Sequence, residues 1–193
     1  MDPASFPELR TSRLLLRAWR EEDAAPFAEL NADPEVTRFL LGPLSRAQSD
    51  AQIAGYRQQF DQEGFGRWAV EIPGVSGFIG MVGLAVIPYP AHFTPAVEIA
   101  WRLARRFWGQ GFASEAARAA LAFGFEQAGL TGIVALTVAA NAKSRAVMER
   151  LGMVRDPSDD FDHPLVPKGH PLERHVLYRL SREAWARSQS RIG

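Results

Sequence analysis

Three runs dense in apolar residues occupy the middle of the chain: RWAVEI at 67–72, GFIGMVGLAVI at 77–87 and AVEIAWRL at 96–103. Each has the length and the β-branched or aromatic content of a strand, and Pro73, Gly74, Ser76, Gly77, Pro88 and Pro90 mark the turns between them. Strands joined in succession by short turns predict an antiparallel meander. The period then changes. Within 111–129, Phe112, Ala116, Ala120 and Phe123 recur at helical spacing, and IVALTV at 133–138 returns to a strand pattern. Strand, helix, strand predicts a crossover that pairs the third meander strand with IVALTV in parallel.

The flanks are less periodic. RLLLRAW at 13–19 reads as a strand, and Glu21, Glu22 and Asp23 suit the first turn of a helix running to about Asn31. DPEVTRFL at 33–40 is bounded by Pro34 near its start and Pro43 beyond its end, and Ser45 then starts a second helix toward Gln62. Beyond the crossover come a short helix at 142–151, a connection containing prolines and histidines, and HVLYRL at 175–180 as a last strand. No repeat, low-complexity tract or linker divides the sequence, so residues 1–193 are expected to form one domain of α/β (α+β) class.

Composition narrows the function. Lys plus Arg balance Asp plus Glu at 22 each, so the broad positive field that gathers nucleic acid or an anionic membrane is missing, and neither is an expected partner. Lys143 and Lys168 are the only lysines, and arginine's planar fork suits phosphate recognition. The absence of cysteine removes disulfides, thiolate metal sites and an acyl-cysteine intermediate, so acyl transfer here has to go directly to the acceptor or use another nucleophile. The first ten residues lack a basic region followed by an apolar stretch, and the longest apolar run, 78–87, is too short for a bilayer. A soluble cytoplasmic protein is expected.

The most informative stretch is RRFWGQGFASEA at 105–116, between a strand and a long helix. Glycines there let backbone approach a ligand closely and adopt positive φ, and the free N–H groups of a helix start can hold a pyrophosphate. A dinucleotide-binding reading fails, because a third glycine at the required spacing is missing and the preceding strand belongs to a meander. Arg106, Gly109 and Gly111 do match the coenzyme A signature of the GCN5-related N-acetyltransferase (GNAT) superfamily: Arg or Gln, two residues, Gly, one residue, Gly or Ala. NAKSRAVMERLGM at 141–153 resembles the superfamily's second block. With EIAWRL, WGQGFASEA and the Asn141 and Ser144 pair, the chain looks most similar to the ribosomal-protein N-terminal acetyltransferases.

The resemblance implies a GNAT fold, with a mixed, mostly antiparallel sheet flanked by helices and two parallel strands splayed to admit acetyl-CoA as cosubstrate. It implies that Arg105, Arg106, Phe107, Trp108, Gly109, Gln110 and Gly111 wrap the pyrophosphate, that Ser114 adds a hydrogen bond, and that Asn141 and Ser144 meet the pantetheine arm. It makes Glu98 the group that relays the acceptor's proton. Many members carry a tyrosine as general acid where Met148 stands here, and a thioether donates no proton. Ser144, one turn earlier, is then the preferred donor, with Tyr178 as a rival phenol. The implied reaction moves an acetyl group to a primary amine, either a protein's N-terminal α-amine or a small amine such as an antibiotic, polyamine or amino acid. A non-catalytic acetyl-CoA-binding or sensing domain is the alternative of another class. Members often dimerise, which allows a homodimer.

Read from the residues alone, Gly109 and Gly111 can be a tight turn, Asn141 an N-cap, and Glu98 a solvated strand position opposite Val97 and Ile99. Phe39, Trp19, Tyr89 and Phe161 are candidates for an acceptor pocket. His163, His170 and His175, with Asp160 and Asp162, match no compact ligand spacing, so no metal is expected there.

Overall fold

The computed structural model describes residues 7–189. Two short strands, β1 (Leu9–Arg10) and β2 (Leu15–Arg17), precede a 3₁₀ turn (Glu21–Asp23), α1 (Ala24–Ala32) and α2 (Arg46–Glu63). The expected meander follows as β3 (Arg67–Ile72), β4 (Ser76–Val86) and β5 (Val97–Leu103), with antiparallel registers such as Val70 opposite Gly80 and Val82 opposite Trp101. A second 3₁₀ turn (Arg105–Phe107) leads into α3 (Phe112–Glu126), then β6 (Gly132–Val138) and α4 (Ala142–Arg150). The chain continues through β7 (Val154–Arg155), β8 (Phe161–Asp162), β9 (Arg174–Ser181) and α5 (Arg182–Gln189). The sheet order is β1-β2-β3-β4-β5-β6-β9-β7, with β8 also on β9, and β5–β6 is its parallel pair.

Local chemistry explains where the elements start and stop. Ser45 and Gln48 form a reciprocal capping box that opens α2, and Gly64, with φ of 72°, closes it in the left-handed conformation. The strand expected at 13–19 is shorter because Thr11 accepts from the Leu14 amide at 2.9 Å and folds Arg13 into the β1–β2 turn. Beyond Arg17 the chain turns away, with the Trp19 indole donating to the Arg67 carbonyl at 2.7 Å.

Two layers cover the sheet. α3 presents Phe112, Ala116, Ala120 and Phe123 to one face, where they join Trp68, Val82, Ile99 and Leu103. On the other, Phe27, Leu30, Ile53 and Tyr56 of α1 and α2 pack with Trp19, Ala69 and Met81. Arg17 ties the second layer together. Its side chain, 2% exposed, donates to both Asp23 carboxylate oxygens, to Glu71 and to the carbonyls of Ala18 and Gly77, so all five N–H donors are used. The pin joins β2, the first 3₁₀ turn, β3 and β4.

Four elements lie outside the sequence reading: β1, β7, β8 and α5. Two-residue strands carry no period, and α5 is recognised by its docking, with Trp185 buried 5.8 Å from the Phe125 ring.

Candidate active site

The parallel pair β5–β6 meets at a single register position, Glu98 opposite Val134. Beyond it the two strands lack ladder partners on their facing edges, and the sheet opens toward the turn that joins β5 to α3.

That turn has the chemistry to hold an anion. Gly109 (φ 74°) and Gly111 (φ 82°) take left-handed conformations, and a Cβ at Gly109 would meet nothing within 4 Å. The amides of Gly111, Phe112, Ala113 and Ser114 find no acceptor among the described residues, and the Ser114 Oγ is buried without a partner. The flanking side chains serve the frame instead. The Trp108 indole donates to the Leu103 carbonyl at 2.7 Å and lies under the Lys143 ammonium at 4.3 Å, while Phe107 packs on the α3-side core. Arg105 leans toward Asp33 at 3.7 Å, Arg106 stacks on Phe107, and the Gln110 amide donates to the Arg106 carbonyl. What remains toward the opening is backbone N–H and one orphaned hydroxyl, a donor set that fits the pyrophosphate of coenzyme A.

Arg13, which the sequence reading passed over, braces this turn. Its guanidinium donates to the Gln110 carbonyl at 3.1 Å, pairs with Glu115 at 2.6 Å and covers the Phe112 ring. Burial pushes the Glu115 carboxyl up, but hydrogen bonds from Thr11 and Arg13 outweigh it and hold the group below its ordinary range. The carboxylate nearest the cradle is therefore satisfied within the protein.

On the far side of the opening, Asn141 caps α4: its Oδ1 accepts from the Ser144 amide at 3.3 Å and its Nδ2 donates to Thr137 at 3.0 Å. Asn141 is thus an N-cap, a role compatible with a further contact to the pantetheine arm. Ser144 is half-buried and its hydroxyl has no hydrogen-bond partner among the described residues. Met148, one turn on, is buried in the core. Tyr178 is also buried, and its hydroxyl donates to Glu149 of α4 at 3.0 Å.

Glu98 faces away from α3, toward α1 and α2, with 20% of its side chain exposed. Arg67 of β3 pairs with it at 2.5 Å and stacks over the Tyr56 ring. The Tyr89 hydroxyl is buried without a partner, and its pKa is pushed up to about 12, first by burial and then by the negative charge of Glu98. Tyr89 stacks beside His163 at 4.8 Å, which is 4.8 Å from His175, and Phe161 lies against both imidazoles. Burial lowers the pKa of each histidine, and His175 lowers His163 further.

Other candidates separate. Trp19 belongs to the α1–α2 core and Phe39 sits under Arg38 in the turn after α1. Asp160 and Asp162 pair with Arg155 and Arg174, and the His170 Nδ1 accepts from the Leu172 amide. Arg67 and Arg102 are additions, and the signal for Arg102 is present: in EIAWRL it lies two strand periods after Glu98, on the same face.

Comparison with known proteins agrees with this geometry. A family model described as "Acetyltransferase (GNAT) domain" matches residues 13–154. An Aspergillus fumigatus protein named FsC-acetyl coenzyme A-N(2)-transacetylase is 32% identical over 95% of this chain and 80% of its own length. An Agrobacterium tumefaciens acetyltransferase of known structure is 29% identical, covers 91% of this chain and 95% of its own, and superposes with a TM-score of 0.73. RimL, a ribosomal α-N-protein acetyltransferase solved in complex with coenzyme A, shares the fold at 18% identity and a TM-score of 0.72, over 92% and 99% of the two chains. The family-model match, the identity to the Aspergillus fumigatus relative and the sheet topology together identify the chain as a member of the GNAT family of N-acetyltransferases.

Proposed function

We propose that this chain, as one domain, passes an acetyl group from acetyl-CoA directly to a primary amine that approaches from the α1–α2 side of β5. The observation that carries the reading is the coincidence at Glu98: the one position where β5 still pairs with β6 bears a carboxylate on the face opposite α3. Acetyl-CoA supplies an activated thioester, and the chain's own groups meet the remaining demands. The α3 amides and Ser114 hold the pyrophosphate, and the unpaired edge of β5 offers N–H groups to the oxyanion. Glu98 takes the proton of the attacking amine through water, and Ser144 hydrogen-bonds the departing sulfur.

Two acceptor classes follow from different observations. Similarity in EIAWRL and WGQGFASEA to N-terminal acetyltransferases favours an α-amine, which near its ordinary pKa of about 8 is partly neutral at physiological pH. The name of the Aspergillus fumigatus relative favours an amine on a small molecule. Thiol release from acetyl-CoA, measured against a panel of peptides and small amines, separates the two, and silence across the panel would return the protein to a sensing role. In the same assay Glu98→Gln is expected to lower turnover most at low pH, where the amine is hardest to deprotonate, with acetyl-CoA affinity close to that of the parent. Full activity at every pH would remove Glu98 from the mechanism.

A further inference from the structure

Two arginines, Arg67 and Arg102, stand on the same face of the meander beneath α1 and α2, and one carboxylate, Glu98, serves the first of them. Arg102 has no acidic partner among the described residues. Its Nη1 donates to the Asn31 Oδ1 and, at 3.3 Å, to the Gln52 Oε1, both neutral amides. The Nε and Nη2 edge, the pair of parallel donors that grips a carboxylate side-on, carries no protein partner among the described residues. That edge is not sealed, since neither Nε nor Nη2 of Arg102 is a fully buried atom without a partner, as Arg67 Nε is.

The position is built rather than incidental. Asn31 and Ser49 are fully buried, and the Asn31 Nδ2 donates to the Ser49 Oγ at 3.0 Å, so the oxygen that holds Arg102 is fixed from behind. Gln52 is steadied in turn by the Tyr56 hydroxyl at 3.4 Å. Arg67 adds a second cation whose Nε is buried without a partner. Burial lowers the Arg102 pKa, Tyr56 opposes that shift, and the charge of Arg67 adds to it. A guanidinium held under those conditions without a counter-ion is costly for the fold alone, and an anion arriving at its open edge would offset that cost.

We propose that Arg102 is the acceptor-recognition residue of this enzyme and selects primary amines that also carry a carboxylate. The inference rests on the transferase reading above and names the substrate class for that site. Glu98 and Arg102 are four residues apart on one strand, about 13 Å between Cα atoms at the usual rise. Amine and carboxylate in the acceptor are therefore separated by on the order of 10 Å. An acidic side chain near a peptide N-terminus meets that spacing, and so does a long ω-amino acid.

The test pairs acceptors that differ in one group: peptides with glutamate or glutamine after the N-terminal residue, and ω-aminoalkanoates of graded length with their amides. In the parent enzyme the carboxylate member of a pair is expected to have a kcat/KM about 10- to 100-fold higher, carried mainly by KM, the range for a hydrogen-bonded charge. Arg102→Gln should bring that ratio close to one, and Arg102→Lys should restore part of it, which loss of packing alone would not do. Which pair shows the larger ratio tells peptide from small molecule. Equal rates for both members in the parent, or an undiminished ratio in Arg102→Gln, would overturn the assignment while leaving acetyl transfer intact. Binding without turnover supplies a second readout: glutarate should shift the Arg102 Nε–H resonance saturably, and glutaramide should not. A saturable shift with no amine acetylated refutes the transferase reading alone, and a resonance indifferent to glutarate refutes the anion site.

Discussion

Ser114 offers a test in which fold and function respond with opposite signs. Its hydroxyl is buried at the start of α3 with no partner, and the carbonyl of Gln110, one turn earlier, accepts from Arg13 instead. A buried hydroxyl left unpaired costs the fold about 1–3 kcal/mol of lost hydration. Ser114→Ala removes that cost with the loss of one atom, so the unliganded protein should be unchanged or up to about 1 kcal/mol more stable, a rise in Tm of at most about 4 °C at this chain length. The liganded protein should behave otherwise. A hydrogen bond to a charged oxygen contributes about 1.5–3 kcal/mol, so acetyl-CoA Kd should rise about 10- to 150-fold. Melted with acetyl-CoA at about a hundred times the parent Kd, the parent should gain about 2.7 kcal/mol; a variant thirtyfold weaker should gain only about 0.9 kcal/mol. Calorimetry for Kd and scanning calorimetry with and without acetyl-CoA give both numbers. A variant that melts lower without ligand by more than about 1 kcal/mol would show that the hydroxyl has an internal partner, and a Kd within threefold of the parent would remove Ser114 from the cradle.

Three further outcomes are expected. Arg17→Met strands the buried Asp23 carboxylate and should cost about 3–5 kcal/mol, a fall in Tm of about 6–20 °C, part of which Asp23→Asn returns in the double variant; a loss under about 1 kcal/mol in chemical denaturation would contradict the pin. His175 has a folded pKa below its unfolded value of about 6.5 because burial penalises its charged form. The unfolded chain then binds more protons just below pH 6.5, so this stability is present above that pH and lost as pH falls through the window, by at most about 1.4 kcal/mol per pH unit. His175→Gln should flatten the fall in Tm between pH 6.5 and 5, before the carboxylates titrate, and an unaltered slope would refute the assignment. Ser144→Ala should slow turnover at saturating acetyl-CoA by around a hundredfold or less, with Tyr178→Phe having the smaller effect because its proton is directed at Glu149. If Tyr178→Phe alone slows the reaction, Ser144 is not the acid.

The meander and the parallel return strand were legible because strands covered on both faces read as nearly unbroken apolar runs, and the crossover helix because it buries one face, which imposes a helical period. Ser45 was legible as the start of α2 because capping is local chemistry, settled within three residues. β1, β7 and β8 were not, since a two-residue strand exists only by virtue of the neighbour it pairs with.

The same division runs through the candidate site. The part proposed for the pyrophosphate lies within one stretch, 105–114, where two glycines, a helix start and a serine follow one another in sequence, so a reading along the chain could assemble it. The acceptor half draws Arg67 from β3, Glu98 and Arg102 from β5, Asn31 from α1, Gln52 and Tyr56 from α2, and Tyr89 from the loop after β4. In sequence, Glu98 and Arg102 look like an ordinary pair of opposite charges on one strand face, two periods apart. In the structure they do not pair: Glu98 takes its cation from β3, and Arg102 takes its acceptors from α1 and α2. Which charge is neutralised and which is left over depends on elements packed across the sheet, and on the proposed reading that leftover charge selects the incoming acceptor. On the proposed reading, acceptor preference is thus set by tertiary pairing, while the contact with the pyrophosphate is set by a single turn.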